Sequence, residues 1–99
     1  MDWDLFQLGI INKAKSHGID LTEYVNDKFN AEQMEEVLEG LINNDPVCVY
    51  ANPKYSWEQM REIRLGLEDE VDVYRYLNPE ISADMMKKIR MTLVLDDER

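Results

Sequence analysis

The scarce residues narrow the possibilities first. The chain has one cysteine, Cys48, and one histidine, His17. A lone cysteine closes no internal disulfide, and with so little histidine there is no Cys/His set for zinc. No run of 18 apolar residues occurs, and no basic stretch followed by an apolar one opens the chain. Neither a membrane span nor secretion is therefore expected, and a cytoplasmic setting is. Basic residues are few: 11 Lys and Arg stand against 21 Asp and Glu, a formal charge of −10. That balance disfavours a direct grip on nucleic acid or an anionic membrane, and it favours a basic protein partner. There is no Gly-rich phosphate loop, no H-E-x-x-H and no Ca²⁺ loop, so no cofactor and no metal are expected. What is present, 44% hydrophobic and 32% charged residues, suits a small globular domain rather than a disordered or fibrous chain.

Sliding the chain against itself by 26 residues brings a whole pattern into register. Residues 24–41 read Y-V-N-D-K-F-N-A-E-Q-M-E-E-V-L-E-G-L and residues 50–67 read Y-A-N-P-K-Y-S-W-E-Q-M-R-E-I-R-L-G-L. A third, weaker copy runs over 76–93, and Trp3 to Ile11 falls on Phe29 to Val37. Asp4, Asn30, Ser56 and Ser82 occupy equivalent places, and each can accept a hydrogen bond from the free N–H groups that open a helix. Gln7, Gln33 and Gln59 follow three residues later as the reciprocal half of a capping box, which Met85 cannot supply. Trp3, Phe29, Tyr55 and Ile81 before the caps pair with Leu8, Met34, Met60 and Met86 after them as hydrophobic staples.

From each cap an apolar stripe recurs: Met34, Val37, Leu41; Met60, Ile63, Leu67; Met86, Ile89, Leu93; in the first copy Leu8 and Ile11. This is one face of an amphipathic helix about 13 residues long. Ala14, Gly40, Gly66 and Thr92 mark where a neighbouring helix comes closest. Gly18 and Asn44 suit a left-handed helix end. Asp20, Asp45 and Asp72 cap short second helices, and Asn52-Pro53 and Asn78-Pro79 end them. The expectation is an all-α fold: a small α-solenoid of about four helix-turn-short-helix repeats, in one domain over residues 1–99, with units near 1–23, 24–49, 50–75 and 76–99.

The Tyr50 copy, with its Q-M-x-E-I-R-x-G-L core followed by acids and D-V, resembles the short tandem helical repeats found in proteins of gut Firmicutes and their mobile elements. The resemblance is good in the Tyr24 copy and weak in the outer ones. It implies a repeat scaffold in a mobile-element or phage setting and carries over no catalytic residue. Small acidic proteins of such settings are often inhibitors of defence nucleases, as anti-CRISPR proteins are.

The search for chemistry finds little. His17 sits near the end of the first long helix, where a cation meets the helix dipole favourably. Cys48, flanked by Val47 and Val49, reads as a small buried hydrophobe. Asp96, Asp97 and Glu98 read as solvated acids. An enzyme, such as a small metal-dependent one, requires unrelated acids to converge in a cleft; the expectation is a non-enzymatic chain.

The acidity is uneven, with −5 over residues 27–52. Opposite the stripe of the second long helix lie Glu32, Glu35, Glu36 and Glu39. They form either a solvated face or an acidic ridge for a Lys- or Arg-rich partner. Phe6 and Ile10 fall at the places of Glu32 and Glu36, and Leu65 and Met91 at the place of Glu39. These apolar residues either meet the chain's own elements or dock another chain, including a second copy. The functional expectation is an acidic protein-interaction module, in its most specific form an inhibitor or decoy that occupies a basic nucleic-acid channel. The alternative is a structural repeat that self-associates.

Overall fold

Each long helix begins where a side chain answers its free N–H groups. In α1 (Leu5–Ser16) the Asp4 carboxylate accepts from Gln7 N and the Gln7 amide oxygen accepts from Asp4 N, both at 2.8 Å. Asn30 with Gln33 opens α2 (Ala31–Ile42), and Ser56 with Gln59 opens α3 (Trp57–Glu68), in the same reciprocal way. Each such cap contributes about 1 kcal/mol. At α4 (Ala83–Asp97) Ser82 Oγ accepts from Met85 N at 3.2 Å. Between these helices stand three single 3₁₀ turns, Leu21–Glu23, Val47–Val49 and Val73–Arg75. The computed structural model describes residues 2–97, and among them there is no strand. Glu98 lies outside the described residues, and so does the side chain of Asp97.

The glutamines do more than cap. Gln7 Nε2 donates to Phe29 O at 2.7 Å, Gln33 Nε2 to Tyr55 O at 2.6 Å and Gln59 Nε2 to Ile81 O at 2.8 Å. One side chain thus closes its own helix and ties it to the residue before the next cap. Each α-helix packs most extensively on its neighbours in sequence, and the Cα atoms span 46 × 27 × 16 Å.

The helix ends follow from backbone freedom. Gly18, Asn44 and Glu70 take left-handed φ of 73°, 59° and 60°. Ile19 N, Asp45 N and Val71 N then donate back to Ala14 O, Gly40 O and Gly66 O at 2.9, 2.7 and 3.0 Å. Glu70 was not among the expected left-handed residues; a side chain there costs roughly 1–2 kcal/mol.

The core is the expected stripe. Met34, Val37, Met60, Ile63 and Met86 are fully buried, and Leu41, Leu67, Ile89 and Leu93 pack against them. Leu8 is exposed, so α1 has the weakest stripe. In the 3₁₀ turns Leu21, Val47 and Val73 point inward. The buried Tyr50 Oη donates to Glu36 O at 2.8 Å, and the buried Tyr76 Oη donates to Glu62 O at 2.9 Å. Burial pushes both phenols well above their ordinary titration range. Their hydroxyls press on Gly40 and Gly66, where a Cβ would collide with them. The close neighbour of these glycines is therefore the tyrosine after each 3₁₀ turn, rather than another long helix.

Two local expectations are corrected. Cys48 is exposed. In a turn with three residues per revolution, Val47 and Tyr50 take the inward positions and leave Cys48 outside. Asp45 does not cap the second 3₁₀ turn, which starts after Pro46 with no side-chain cap, whereas Asp20 and Asp72 accept from Thr22 N and Tyr74 N, each at 3.2 Å. Among the described residues no helix is long and apolar enough to cross a membrane.

Candidate protein-interaction surface

Periodicity alone puts charged residues of an amphipathic helix in water, but the helix junctions here bury several of them. Arg64 Nε donates to Glu36 Oε2 and Arg64 Nη1 to Glu68 Oε2, both at 3.0 Å. Arg90 Nη2 reaches Glu62 Oε1 at 3.1 Å, and Arg90 Nη1 reaches Asp69 Oδ2 at 3.0 Å. Burial alone would lower the Arg64 pKa, but the carboxylates of Glu36 and Glu68 outweigh it and the net shift is upward. Breaking such a pair strands a buried charge, at about 3–5 kcal/mol.

The α1–α2 junction replaces charge with grease. Ile10 holds the place of Glu36 and Glu62, and Leu38 the place of Arg64 and Arg90; Leu38 is buried and Ile10 packs against the core. The apolar outer side of α1 is thus partly explained as an inward-facing substitute for an ion pair.

The four acids expected as a ridge divide accordingly. Glu36 is 7% exposed and held by Arg64, so it is not a wet acid. Its burial corrects that part of the ridge. Glu35 is partly buried and paired with Lys13 of α1, whose own pKa is raised by that hydrogen bond. Glu32 is exposed and Glu39 partly buried, and neither has an ion pair among the described residues. Of the apolar candidates, Phe6 is 78% exposed and Met91 46%, while Ile10 and Leu65 are partly buried.

Three of the acids and one apolar candidate meet at one place. A depression of about 330 Å³ is lined by Ile10, Ala31, Glu32, Glu35, Glu36 and Trp57. Its lining combines Ile10 of α1, Ala31 of α2 and Trp57 of α3 with three glutamates of α2. Such a hollow can seat an apolar side chain while offering acceptors to a flanking cation. Phe6, Leu65 and Met91 do not line it.

No family model, no curated protein and no solved structure matches this chain.

Among the described residues no group of three or more His, Cys, Asp or Glu side chains is placed to hold a metal ion. His17 is the C-cap residue of α1, with its backbone N–H bonded to Ala14 O. Cys48 is remote from it in sequence and lies on the second 3₁₀ turn. Sequence reasoning missed Arg64, Arg90 and Glu62 because a helical wheel scores them as solvent-facing. The signal was present in the chain's own copies: Glu36/Arg64 and Glu62/Arg90 share one spacing, and Ile10/Leu38 replaces both members at once.

Proposed function

We propose that this chain is a small α-solenoid of about four stacked units with a 26-residue period, each a long helix and the first three followed by a 3₁₀ turn, and that it works as a non-enzymatic protein-interaction module. Supporting the stack, the long helices start at Leu5, Ala31, Trp57 and Ala83, and the glutamine and tyrosine hydrogen bonds recur at equivalent residues. Supporting a non-enzymatic role, the buried charged side chains Glu36, Arg64 and Arg90 are engaged in holding helix to helix. The resemblance to the tandem repeats of gut Firmicutes and their mobile elements belongs to the same proposal.

The observation that carries the functional reading is the depression lined by Ile10, Ala31 and Trp57 together with Glu32, Glu35 and Glu36. Its chemistry fits a basic, amphipathic segment of a partner protein, with an apolar side chain in the hollow and Lys or Arg beside Glu32. A decoy for a nucleic-acid channel calls for a long row of uncompensated acids. Glu36 and Glu35 are already engaged inside the chain, which favours a local groove contact over that form.

Titration calorimetry with a Lys/Leu amphipathic peptide tests this. Binding should weaken with added salt and fall about tenfold in Glu32→Gln/Glu35→Gln/Glu39→Gln. Binding indifferent to both changes, or none at all, contradicts it. A second reading, self-association through α1, is favoured by Leu5 and Phe6, exposed 84% and 78%. Sedimentation of the wild type and Phe6→Glu decides it, since a strict monomer in both removes the dimer.

A further inference from the structure

We infer that the basic, amphipathic segment suited to the depression is α4 of a second copy of this chain. Two copies then bind reciprocally through the outer faces of their long helices, which rests on the depression being a docking site. Counting from Asn30, Ser56 and Ser82, the residues two, five, six and nine places on lie opposite the buried stripe. In α2 they are Glu32, Glu35, Glu36 and Glu39; in α3, Glu58, Arg61, Glu62 and Leu65; in α4, Asp84, Lys87, Lys88 and Met91. The outer face changes sign along the stack, from acid on α2 to base on α4. Glu36 and Glu62 are engaged by Arg64 and Arg90, and Glu35 by Lys13. Glu32, Arg61, Lys87 and Lys88 are exposed and Glu39 is half-buried, and none of them has an ion pair among the described residues.

A two-fold axis running alongside α3 makes the two signs meet. α2 and α4 both pack on α3 and flank it. Face-to-face rotation about that axis keeps the helix direction, so α4 of each copy lies on α2 of the other, and equal heights above the caps face each other. At 1.5 Å per residue, Lys87 stands about 4.5 Å above the level of Glu32 and about 6 Å below that of Glu39. A long, flexible lysine reaches either acid. The residues lining the depression span the first to the sixth place after the caps, so Lys88 falls within it, its aliphatic stem against Ile10, Ala31 and Trp57. Asp84 comes level with Glu32, one acid against two lysines. At the axis Leu65 meets its counterpart, and Arg61 of each copy has Glu58 of the other one turn away.

Size and net charge set the conditions. Three of the four long helices overlap in this arrangement, on a slab 46 × 27 Å across. That leaves room for the about 800 Å² per partner that a standard interface buries. Each copy carries −10, so two copies repel at a distance. At 0.1 M salt that repulsion is largely screened beyond ~10 Å, while charges in contact still attract. Pairing is therefore tightest at moderate ionic strength and weakens both in very dilute and in concentrated salt.

Sedimentation equilibrium of the full chain at moderate salt should give a discrete dimer. Lys87→Glu/Lys88→Glu and Glu32→Lys/Glu39→Lys change outer side chains only, and each should raise the dissociation constant at least about tenfold. Each copy supplies both halves of the interface, so an equal mixture of the two variants has opposite charges at both contacts and should recover the dimer. A wild type that stays monomeric, a dimer that both variants keep, a dimer lost only in Phe6→Glu, or a mixture that stays monomeric overturns the inference. Calorimetry of the Lys/Leu peptide with Lys87→Glu/Lys88→Glu reports the depression separately, since neither lysine lines it. Peptide binding beside a monomeric wild type removes the second copy and keeps the docking site; no binding and no dimer remove both.

Discussion

Adding one methyl group at three helical glycines should change stability in two directions. Alanine in place of glycine inside a helix is worth about 1 kcal/mol by backbone propensity alone. At Gly9 a Cβ meets nothing within 4 Å, so Gly9→Ala should stabilise by about 0.5–1 kcal/mol. At Gly40 the same methyl collides with the Tyr50 hydroxyl and comes within 2.6 Å of Val47 Cγ1. Tyr50 is fully buried and bonded to Glu36 O, so moving it costs that bond, about 1 kcal/mol, and about 1–3 kcal/mol of overpacking. Gly40→Ala should therefore lose about 1–3 kcal/mol net, and Gly66→Ala, facing Tyr76 and Val73, the same. Urea unfolding followed by far-UV circular dichroism measures each difference. Tyr50→Phe removes the nearest colliding atom, so Gly40→Ala/Tyr50→Phe should lose less than the sum of the single changes. If all three alanine variants are stabilised alike, the tyrosine packing described above is wrong.

Two further predictions concern the junctions. Arg64→Ala should cost about 3–5 kcal/mol by stranding Glu36, whereas Glu36→Ile/Arg64→Leu, which copies Ile10 and Leu38, should be near neutral or stabilising; denaturation midpoints separate the two. Gln59→Ala should cost about 2–3 kcal/mol in the same assay, because it removes a capping acceptor and two bonds to Pro79 O and Ile81 O together.

Local physics was legible in the sequence, and through-space physics was not. The caps at Asp4, Asn30 and Ser56, the left-handed ends at Gly18 and Asn44 and the methionine stripe involve residues within a turn or two of each other. Their spacing alone therefore predicts them. The far end of each glutamine bond, on Phe29, Tyr55 or Ile81, depends on how one helix lies on the next and leaves no local mark. The same holds for the Arg64 and Arg90 pairs, which turned Glu36 from a surface acid into a junction residue. Cys48 was misplaced because its apolar neighbours suggested burial, while a three-residue turn period put it outside. Of the candidate site, Ile10, Glu32, Glu35 and Glu36 were named from the pattern; Ala31 and Trp57 were not, since Trp57 entered only as part of a repeat copy.

The most direct test of the interaction surface is NMR chemical-shift mapping of a basic amphipathic peptide titrated into the chain. The account predicts that the Trp57 indole N–H and the backbone amides of Ile10, Ala31, Glu32 and Glu35 move first and farthest. Shifts confined to the 3₁₀ turns or to α4, with the Trp57 indole unmoved, would contradict it.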